Sequence, residues 1–345
     1  MVITVKTPAR LHMGQIDLNG SLGRIFGGMG VTIEKPNVEL ELKPEARLLV
    51  SGKQRSMVST LANQFLEYFG LKTGAFIHVK QTIPEHVGLG SSTQLALAVG
   101  YGLAKLNNLD VDIDELAKIM DRGGSRSGVG VGAFKSGGFI IDGGRKLTAD
   151  GPQHGDPHYL PPAIVRHAIP GNWRFVVAIP DKPQGLSGSA EKEAFRRLPP
   201  MAPEKVGEIC RDIMMRMLPA LVEEDIDAFG QALTAIQQIV GNHFKPVQNG
   251  TFANELSARI IKCMRDAGAK GAGQSSWGPA VYGLVPAQEA ENLEVKVKEF
   301  LEARGKGTVF CTRVLNQGAQ CILKTEILTD VEARRVSSRV TINGG

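Results

Sequence analysis

The sequence predicts an α+β fold made of two domains. A chain of 345 residues is long enough for two cores of ordinary size. Segments with the alternating pattern of strands dominate its first fifty residues, whereas segments with helical spacing dominate from about residue 203. Between about residues 148 and 170 both patterns dissolve, and glycine, proline, histidine and aspartate become frequent. We therefore expect one domain at residues 1–170 and a second at residues 171–345.

The first domain begins with predicted strands at residues 2–7, 29–34, 37–43 and 46–51. In the third of these, Val38, Leu40 and Leu42 alternate with charged residues, which is typical of a sheet with one face in water. A helix is predicted at residues 57–69, where Gly70 ends the apolar spacing. Further along, we expect a strand at residues 74–81, helices at 94–106 and 113–120, and a strand at 139–141.

The second domain is predicted to begin with a buried strand at residues 173–179. Helical spacing follows at residues 203–218, 225–244 and 251–267. Two strands, at residues 280–285 and 309–314, then flank a helix at 287–303. This order is that of an α+β plait.

Composition excludes several classes of protein. No apolar run approaches the roughly 18 residues of a membrane helix, and the amino terminus lacks the regions of a signal peptide, so we expect a cytoplasmic protein without a membrane partner. The four cysteines are scattered without a CxxC pair, which indicates reduced thiols. The net charge of +5 is dispersed and aromatics are only 6%, so an anionic small substrate explains the charge better than nucleic acid.

The stretch PEHVGLGSST, residues 84–93, is the most informative part of the chain, and we call it the glycine loop. It joins a strand to a long helix. Gly88 and Gly90 permit close approach of a ligand to the backbone, while Ser91, Ser92 and Thr93 open the helix with free amides and hydroxyls. A helix start of this kind binds a diphosphate mainly through backbone N–H groups. A tight turn with a serine cap is the alternative.

The glycine loop differs from the two familiar phosphate loops. It lacks the lysine that precedes the Ser/Thr of a Walker loop, and Thr93 stands where the dinucleotide pattern needs a third glycine. It instead resembles the PxxxGLGSSA signature of the GHMP kinase superfamily. TPARLHMG at residues 7–14 and GAKGAGQSS at residues 268–276 resemble two further segments of that superfamily, in the same order. The resemblance implies a ribosomal-S5-like first domain packed on a ferredoxin-like second domain, with the site between them.

A second glycine-rich segment departs from the kinases. They carry SGxDxA, whose aspartate is the catalytic base, whereas Ser127 to Gly132 places Gly130 at that position. One branch fits this departure, because residues 7–14, 84–100, 122–144, 180–188 and 271–279 resemble the β-ribofuranosylaminobenzene 5′-phosphate synthases. That resemblance implies transfer of phosphoribose from phosphoribosyl pyrophosphate onto 4-aminobenzoate or 4-hydroxybenzoate, with loss of carbon dioxide and pyrophosphate, in methanopterin biosynthesis. It also implies a homodimer.

A change from phosphoryl transfer to phosphoribosyl transfer is chemically sensible. A pyrophosphate that leaves an anomeric carbon needs the same diphosphate cradle as a nucleotide. When the attacked ring carbon loses carbon dioxide, no aspartate is needed to remove a hydroxyl proton. A small-molecule kinase using ATP is the alternative enzyme, since positioning and charge do most of phosphoryl transfer. A member that only binds ligand is the non-enzymatic alternative, and the choice between amino and hydroxy benzoate stays open.

The candidate residues fall into three groups. Those predicted to bind substrate or its phosphates are Gly88, Leu89, Gly90, Ser91, Ser92, Thr93, Lys135, Gln274, Ser275 and Ser276. The predicted catalytic residues are Arg10, His12, Arg126 and Lys182. Mg2+ is the expected cofactor, with Ser92 and Asp121 as protein ligands besides diphosphate oxygens. Each candidate has a structural alternative. Any single cation is as well explained as a surface charge, and His12 as a structural histidine. Asp121 is as well explained as a solvated carboxylate at a helix end, and residues 274–276 as a helix cap.

Overall fold

The computed structural model describes residues 1–122, 125–148, 151–152, 159–181, 188–248 and 250–324. Its strands β1 to β13 are Val2–Asp17, Arg24–Glu45, Leu49–Gly52, Gly74–Gln81, Phe139–Asp142, Arg145–Thr148, Gly151–Pro152, Ala163–His167, Trp173–Pro180, Gly271–Gln274, Val281–Pro286, Gly307–Arg313 and Gln320–Lys324. Its helices α1 to α10 are Arg55–Tyr68, Ser91–Leu106, Ile113–Ile119, Val129–Lys135, Gly188–Arg197, Pro203–Asp212, Leu218–Val222, Ile226–Gln248, Glu255–Asp266 and Ala290–Glu302. A π-helical turn, Ile213–Met217, joins α6 to α7, and a 3-10 turn, Ala287–Glu289, precedes α10.

The first sheet has the order β13-β1-β2-β4-β3, and β5 extends it by pairing with β2 and β8. Buried and less buried residues alternate along the second half of β2, where Val38, Leu40 and Leu42 are buried. α2 packs on the sheet through a nearly continuous apolar surface, so sheet and helix form two layers. Residues two apart on a strand point to the same face, so one face of this part of β2 is buried. The predicted sheet with one face in water is confirmed for this part of β2.

The predicted limits of the first strands are wrong. β1 continues past residue 7 to Asp17, and β2 runs unbroken from Arg24 to Glu45 instead of forming two strands. Pro36, which has no N–H, lies within β2 between the two predicted strands. The register shifts between Thr7 and Ala9, opposite the proline, and an irregularity of this kind tolerates a residue without an N–H.

The second sheet has the order β10-β11-β9-β12, with antiparallel pairs throughout. α9 and α10 cover one face, where Val176, Ile260 and Val297 belong to one core cluster. The other face, with Phe175 and Tyr282, joins the larger core cluster that includes α8. Sheets with helices on their faces confirm the predicted α+β class.

Part of the predicted third glycine-rich loop is a strand. Residues 271–274 form β10, and two of its glycines allow close packing against α8. A Cβ on Gly271 would lie 2.6 Å from the Cα of Gly230, and a Cβ on Gly273 would lie 2.6 Å from the side chain of Gln237. These glycines therefore serve helix–strand contact, which a sequence pattern does not distinguish from anion binding.

The chain crosses between the sheets twice. It passes from β8 to β9 between His167 and Trp173, and it returns to the first sheet when β13 pairs with β1. Within the described ranges, no helix combines the length and the apolar character needed to cross a membrane.

The core contact of α2 predicts a clear stability effect. Leu97 is fully buried, so we expect Leu97→Ala to lower the free energy of unfolding by about 2–5 kcal/mol through lost burial and a residual cavity. Urea denaturation followed by circular dichroism measures the change. Leu22→Ala, at a position 89% exposed, is the matched control and should change it by less than about 0.5 kcal/mol. Equal losses in the two variants would contradict the packing described for α2.

Candidate functional site

The glycine loop presents the first turn of α2. Gly88 and Gly90 have φ angles of +88° and +84°, so both adopt the left-handed conformation that favours glycine. α2 begins at Ser91, three residues before the predicted start, and its first helical hydrogen bond runs from the Gln94 N–H to the Gly90 carbonyl at 3.1 Å. The N–H groups of residues 91–93 therefore have no partner within the helix. Free donors of this kind suit an anion, and we call this start of α2, with its exposed Ser92, the anion-binding end of the candidate site.

Leu89 and Arg10 hold the glycine loop on the side that faces the core. The Leu89 side chain is buried in the core, and its carbonyl accepts from the Arg10 N–H at 3.3 Å. The Arg10 guanidinium donates to the Gly88 carbonyl and packs against Gly90. Burial lowers the pKa of Arg10 to about 10, while nearby Glu191 acts in the opposite direction. Arg10 is therefore still a cation at neutral pH, directly beneath the anion-binding end.

Ser275 ties three segments together, and we call its pair of hydrogen bonds the clamp. The fully buried Oγ donates to the Gly88 carbonyl at 2.6 Å and accepts from the His12 N–H at 3.0 Å. A Cβ on Gly88 would lie 2.1 Å from the Ser275 carbonyl oxygen. The predicted substrate contact of Ser275 would thus compete with the hydrogen bonds that hold the glycine loop to β1.

The neighbours of Ser275 divide into one engaged and one accessible side chain. The Gln274 Oε1 accepts from the Ala253 N–H at 2.6 Å, and its Nε2 donates to the Ser276 carbonyl at 3.0 Å. Ser276 is exposed, has a φ of +55°, and donates its N–H to the His12 carbonyl at 3.1 Å. Gln274 therefore shapes the turn, whereas the Ser276 hydroxyl is available to a ligand.

His12 is a neutral imidazole. Its side chain is 8% exposed, and its Nδ1 accepts from the Gly14 N–H at 3.4 Å. Burial, and to a smaller extent the charge of Arg10, lowers the pKa of His12 to about 3. The proton of the neutral ring consequently lies on Nε2, which makes that nitrogen a donor.

The second glycine-rich segment is partly helical, and a carboxylate missed by the sequence analysis holds it. The buried Asp142 accepts from the Ser127 Oγ at 2.8 Å and from the Gly128 N–H at 2.7 Å, just before α4. Burial raises the pKa of Asp142, and the hydrogen bonds oppose this. Gly130 lies in the first turn of α4, and a Cβ there would be 3.2 Å from the Thr93 side chain. The position that carries an aspartate in SGxDxA therefore faces Thr93 here without a carboxylate.

Arg126 lies over an aromatic ring and beside an acid. Its guanidinium carbon is 4.3 Å from the centroid of the Phe195 ring, and its Nη1 is 3.1 Å from a carboxylate oxygen of Glu191. Its Nε is buried, with no hydrogen-bond acceptor among the residues that the structure describes. Burial lowers the pKa of Arg126, and Glu191 acts in the opposite direction. α5 thus supplies both of these contacts, and the centroid of the Phe26 ring of β2 lies 5.9 Å from the same guanidinium carbon.

An aromatic pocket adjoins His12. Its rings are those of Phe195, Phe244 and Trp277, whose centroids lie 4.9 Å to 5.5 Å apart, with Phe252 nearby. Its remaining lining residues include His12, Gly14, Gln15, Gln237, Val240, Gly241, Gln248, Thr251, Gln274 and Ser276. Such walls suit a flat, mainly apolar ligand with few polar groups. Phe195, Phe244 and Gln15 were missed because they come from separate elements and form no linear motif.

Three residues predicted for the site are not shown beside the glycine loop or the aromatic pocket. The exposed Lys135 donates to Asp114 at 2.6 Å, which with neighbouring Asp112 raises the pKa of Lys135. Asp121 accepts from Gln64 at 2.9 Å and lines a groove whose other lining residues belong to α1 and α3. Lys182 lies outside the described residues. Across the described part of the chain, no group of three or more His, Cys, Asp or Glu residues is placed to hold a metal ion.

Comparison with known proteins shows the family of the chain. Residues 56–138 match the GHMP kinases N terminal domain, and residues 217–303 match the GHMP kinases C terminal. The chain is 35% identical over 330 residues to the β-ribofuranosylphenol 5′-phosphate synthase of Methanothermobacter thermautotrophicus, covering 92% of this chain and 98% of the relative. It is 36% identical over 325 residues to the protein of the same name from Archaeoglobus fulgidus, covering 92% and 99%.

The fold has solved counterparts. The crystal structure of homoserine kinase from Cytophaga hutchinsonii superposes with a TM-score of 0.65 at 19% identity, covering 93% of this chain and 97% of that one. The predicted α+β fold of the GHMP-kinase type is thereby confirmed.

The clamp predicts a sharp difference between two glycines of similar φ. We expect Gly88→Ala to weaken binding of inorganic pyrophosphate at least about tenfold, because the new methyl group collides with the Ser275 carbonyl and displaces N–H donors that bind a charged group. Isothermal titration calorimetry measures the affinity. Gly23→Ala, with a φ of +81° and open space around its Cβ, is the matched control for backbone strain. Equal affinities in the two variants would remove the glycine loop from the anion site.

The pKa of His12 predicts a pH-dependent stability. The folded-state value of about 3 lies below the usual 6.5, so the unfolded chain takes up a proton that the folded chain refuses. Stability is therefore full above pH 6.5 and falls as the pH decreases, by about 2 kcal/mol between pH 6.5 and pH 5. Urea denaturation of the wild type and of His12→Asn over this range measures the difference. Parallel curves for the two proteins would show that His12 is not buried as described.

Proposed function

Since the chain belongs to the β-ribofuranosylphenol 5′-phosphate synthase family, within the GHMP kinase superfamily, we propose that it is a decarboxylating phosphoribosyltransferase. Its substrates would be phosphoribosyl pyrophosphate and 4-hydroxybenzoate or 4-aminobenzoate. Its product would be a C-riboside of methanopterin biosynthesis, made in the cytoplasm by a homodimer.

One observation carries the proposal: an anion-binding helix end and an aromatic pocket meet on the same strand. Arg10 of β1 contacts the glycine loop, and His12, two residues further, lines the aromatic pocket. A sugar diphosphate and an aromatic ring bound in these places would share the space between Arg10 and His12. Holding two reactants in this way supplies much of the rate of a two-substrate reaction.

The reaction balances without a protein base. The ring carbon that bears the carboxylate attacks the anomeric carbon, and the bond from that carbon to the pyrophosphate oxygen breaks. The bond from the ring to the carboxylate then breaks, carbon dioxide leaves, and its electron pair restores the aromatic ring. No proton is removed from the acceptor, which agrees with glycine at position 130 and with a neutral His12.

The residues of the anion site would stabilise the leaving group. The N–H groups of Ser91, Ser92 and Thr93 would donate to a bound diphosphate, and Arg10 would add a fixed positive charge. The Arg126 guanidinium, with its Nε unpaired among the described residues, would hold an anionic group of the substrates in place of Glu191.

Mg2+ fits this site through Ser92, whose exposed hydroxyl stands at the start of α2. When bound, the ion would neutralise charge on the diphosphate, whose oxygens would supply most of its ligands. Asp121 bonds to Gln64 and lines a different groove, so we assign it no direct contact with the ion.

Release of carbon dioxide tests the proposal. We expect purified protein with Mg2+ and phosphoribosyl pyrophosphate to release labelled carbon dioxide from carboxyl-labelled 4-hydroxybenzoate or 4-aminobenzoate, in equal amount to pyrophosphate. Arg10→Gln should lower kcat/KM by about a hundredfold or more, because it removes the charge at the leaving group. Arg55→Gln, at an exposed position of α1, is the matched control.

Two other results would overturn it. Phosphate transfer from labelled ATP to a small alcohol, without release of carbon dioxide, would identify a kinase. Ligand binding without consumption of any acceptor would identify a member that only binds.

A further inference from the structure

Gln15 lines the aromatic pocket with a buried amide oxygen that accepts no hydrogen bond from the described part of the chain. Its amide is 8% exposed, and its Oε1 is buried without a hydrogen-bond donor among the residues that the structure describes. Leaving a buried acceptor unpaired costs about 1–3 kcal/mol, so an unpaired group of this kind points to a ligand.

The other glutamines of the pocket are engaged. Gln237 donates to the Met13 carbonyl at 2.6 Å and accepts from the Gln274 N–H at 2.8 Å. Both ends of the Gln274 amide bind backbone, and Gln248 donates to the Thr251 carbonyl at 2.9 Å. The contrast singles out Gln15 as the amide left for substrate.

The strand itself explains why Gln15 faces the pocket together with His12. Side chains three residues apart on a regular strand point to opposite faces. The register of β1 against β2 shifts between His12 and Gly14, where Gly14 has a φ of +128°, and this irregularity restores both side chains to one face. The pocket floor therefore runs along β1 from His12 to Gln15.

The direction of the pocket orients the acceptor. Arg10 touches the glycine loop, and a strand advances about 3.3 Å per residue, so Gln15 lies roughly 15 Å further along β1 from that loop. Under the proposed function, the carboxylate-bearing carbon must face the sugar and its diphosphate. The substituent at the opposite end of the ring then lies at Gln15.

We propose that Gln15 is a catalytic residue that accepts a hydrogen bond from the para hydroxyl or amino group of the aromatic acceptor; this rests on the proposed function. As the ring carbon attacks, the para oxygen or nitrogen donates electrons into the ring and gains positive charge. Its attached hydrogen then becomes a stronger donor to the Gln15 Oε1. A bond that strengthens in this way stabilises the transition state more than the bound substrate.

The experiment separates binding from turnover. Calorimetry compares 4-hydroxybenzoate with unsubstituted benzoate for wild type, Gln15→Met and Gln15→Glu. We expect wild type to prefer 4-hydroxybenzoate by about tenfold, and Gln15→Met, similar in shape but without the amide oxygen, to abolish the preference. With 4-hydroxybenzoate as substrate, Gln15→Met should lower kcat by a factor about ten times larger than the factor by which it raises KM. Gln15→Glu, which restores an acceptor, should recover part of kcat.

Gln238→Met removes an exposed amide from α8 outside the pocket and is the control. The inference is overturned if wild type binds both benzoates equally, or if Gln15→Met retains the preference or loses kcat no more than Gln238→Met. Because the binding arm needs no turnover, a preference for 4-hydroxybenzoate that depends on Gln15, without release of carbon dioxide, would refute the proposed function and leave the recognition by Gln15 standing.

Discussion

The whole site depends on the hydroxyl of Ser275. This single oxygen donates to the carbonyl of the glycine loop and accepts from the backbone of β1, so it fixes the distance between the anion-binding helix end and the strand that carries Arg10, His12 and Gln15. Because it is fully buried, water does not compete for either bond. Three segments that are distant in the sequence thereby form one rigid frame, and the chemistry of the site follows from how that frame places charge and aromatic surface.

The frame also shows how a phosphate-binding fold can serve a reaction at carbon. The helix end and Arg10 suit any diphosphate, whether it belongs to a nucleotide or to an activated sugar. What distinguishes this chain is the second half of the site, where glycine replaces an acid near Thr93 and aromatic rings from α5, α8 and the segment after β10 form a pocket. Retaining the anion site while exchanging the acceptor site is the simplest physical route from phosphoryl transfer to the phosphoribosyl transfer proposed above.

The sequence predicted the local features well and the long-range ones poorly. The glycine loop, α2 and strands β9, β11 and β12 follow from residues close together in the chain, so the spacing of apolar residues and the placement of glycines sufficed to predict them. The clamp, Gln15, Phe195 and Asp142 depend on pairs far apart in the sequence, and no local pattern marks them. β1 was predicted too short because its buried half carries Arg10, His12 and Gln15, whose polarity conceals a strand. Gly271 and Gly273 carried the opposite error, since close packing against α8 needs the same residue type as an anion loop.

The return of β13 to β1 has a consequence for biosynthesis. Residues 2–6 pair with residues 320–324, which are synthesised much later. A pairing with so large a sequence separation is slow to form, because a long loop must close before the contact is gained. One edge of the strand that carries the site therefore stays unpaired while the residues between β1 and β13 are synthesised. Unpaired edges of this kind are where nascent chains associate wrongly.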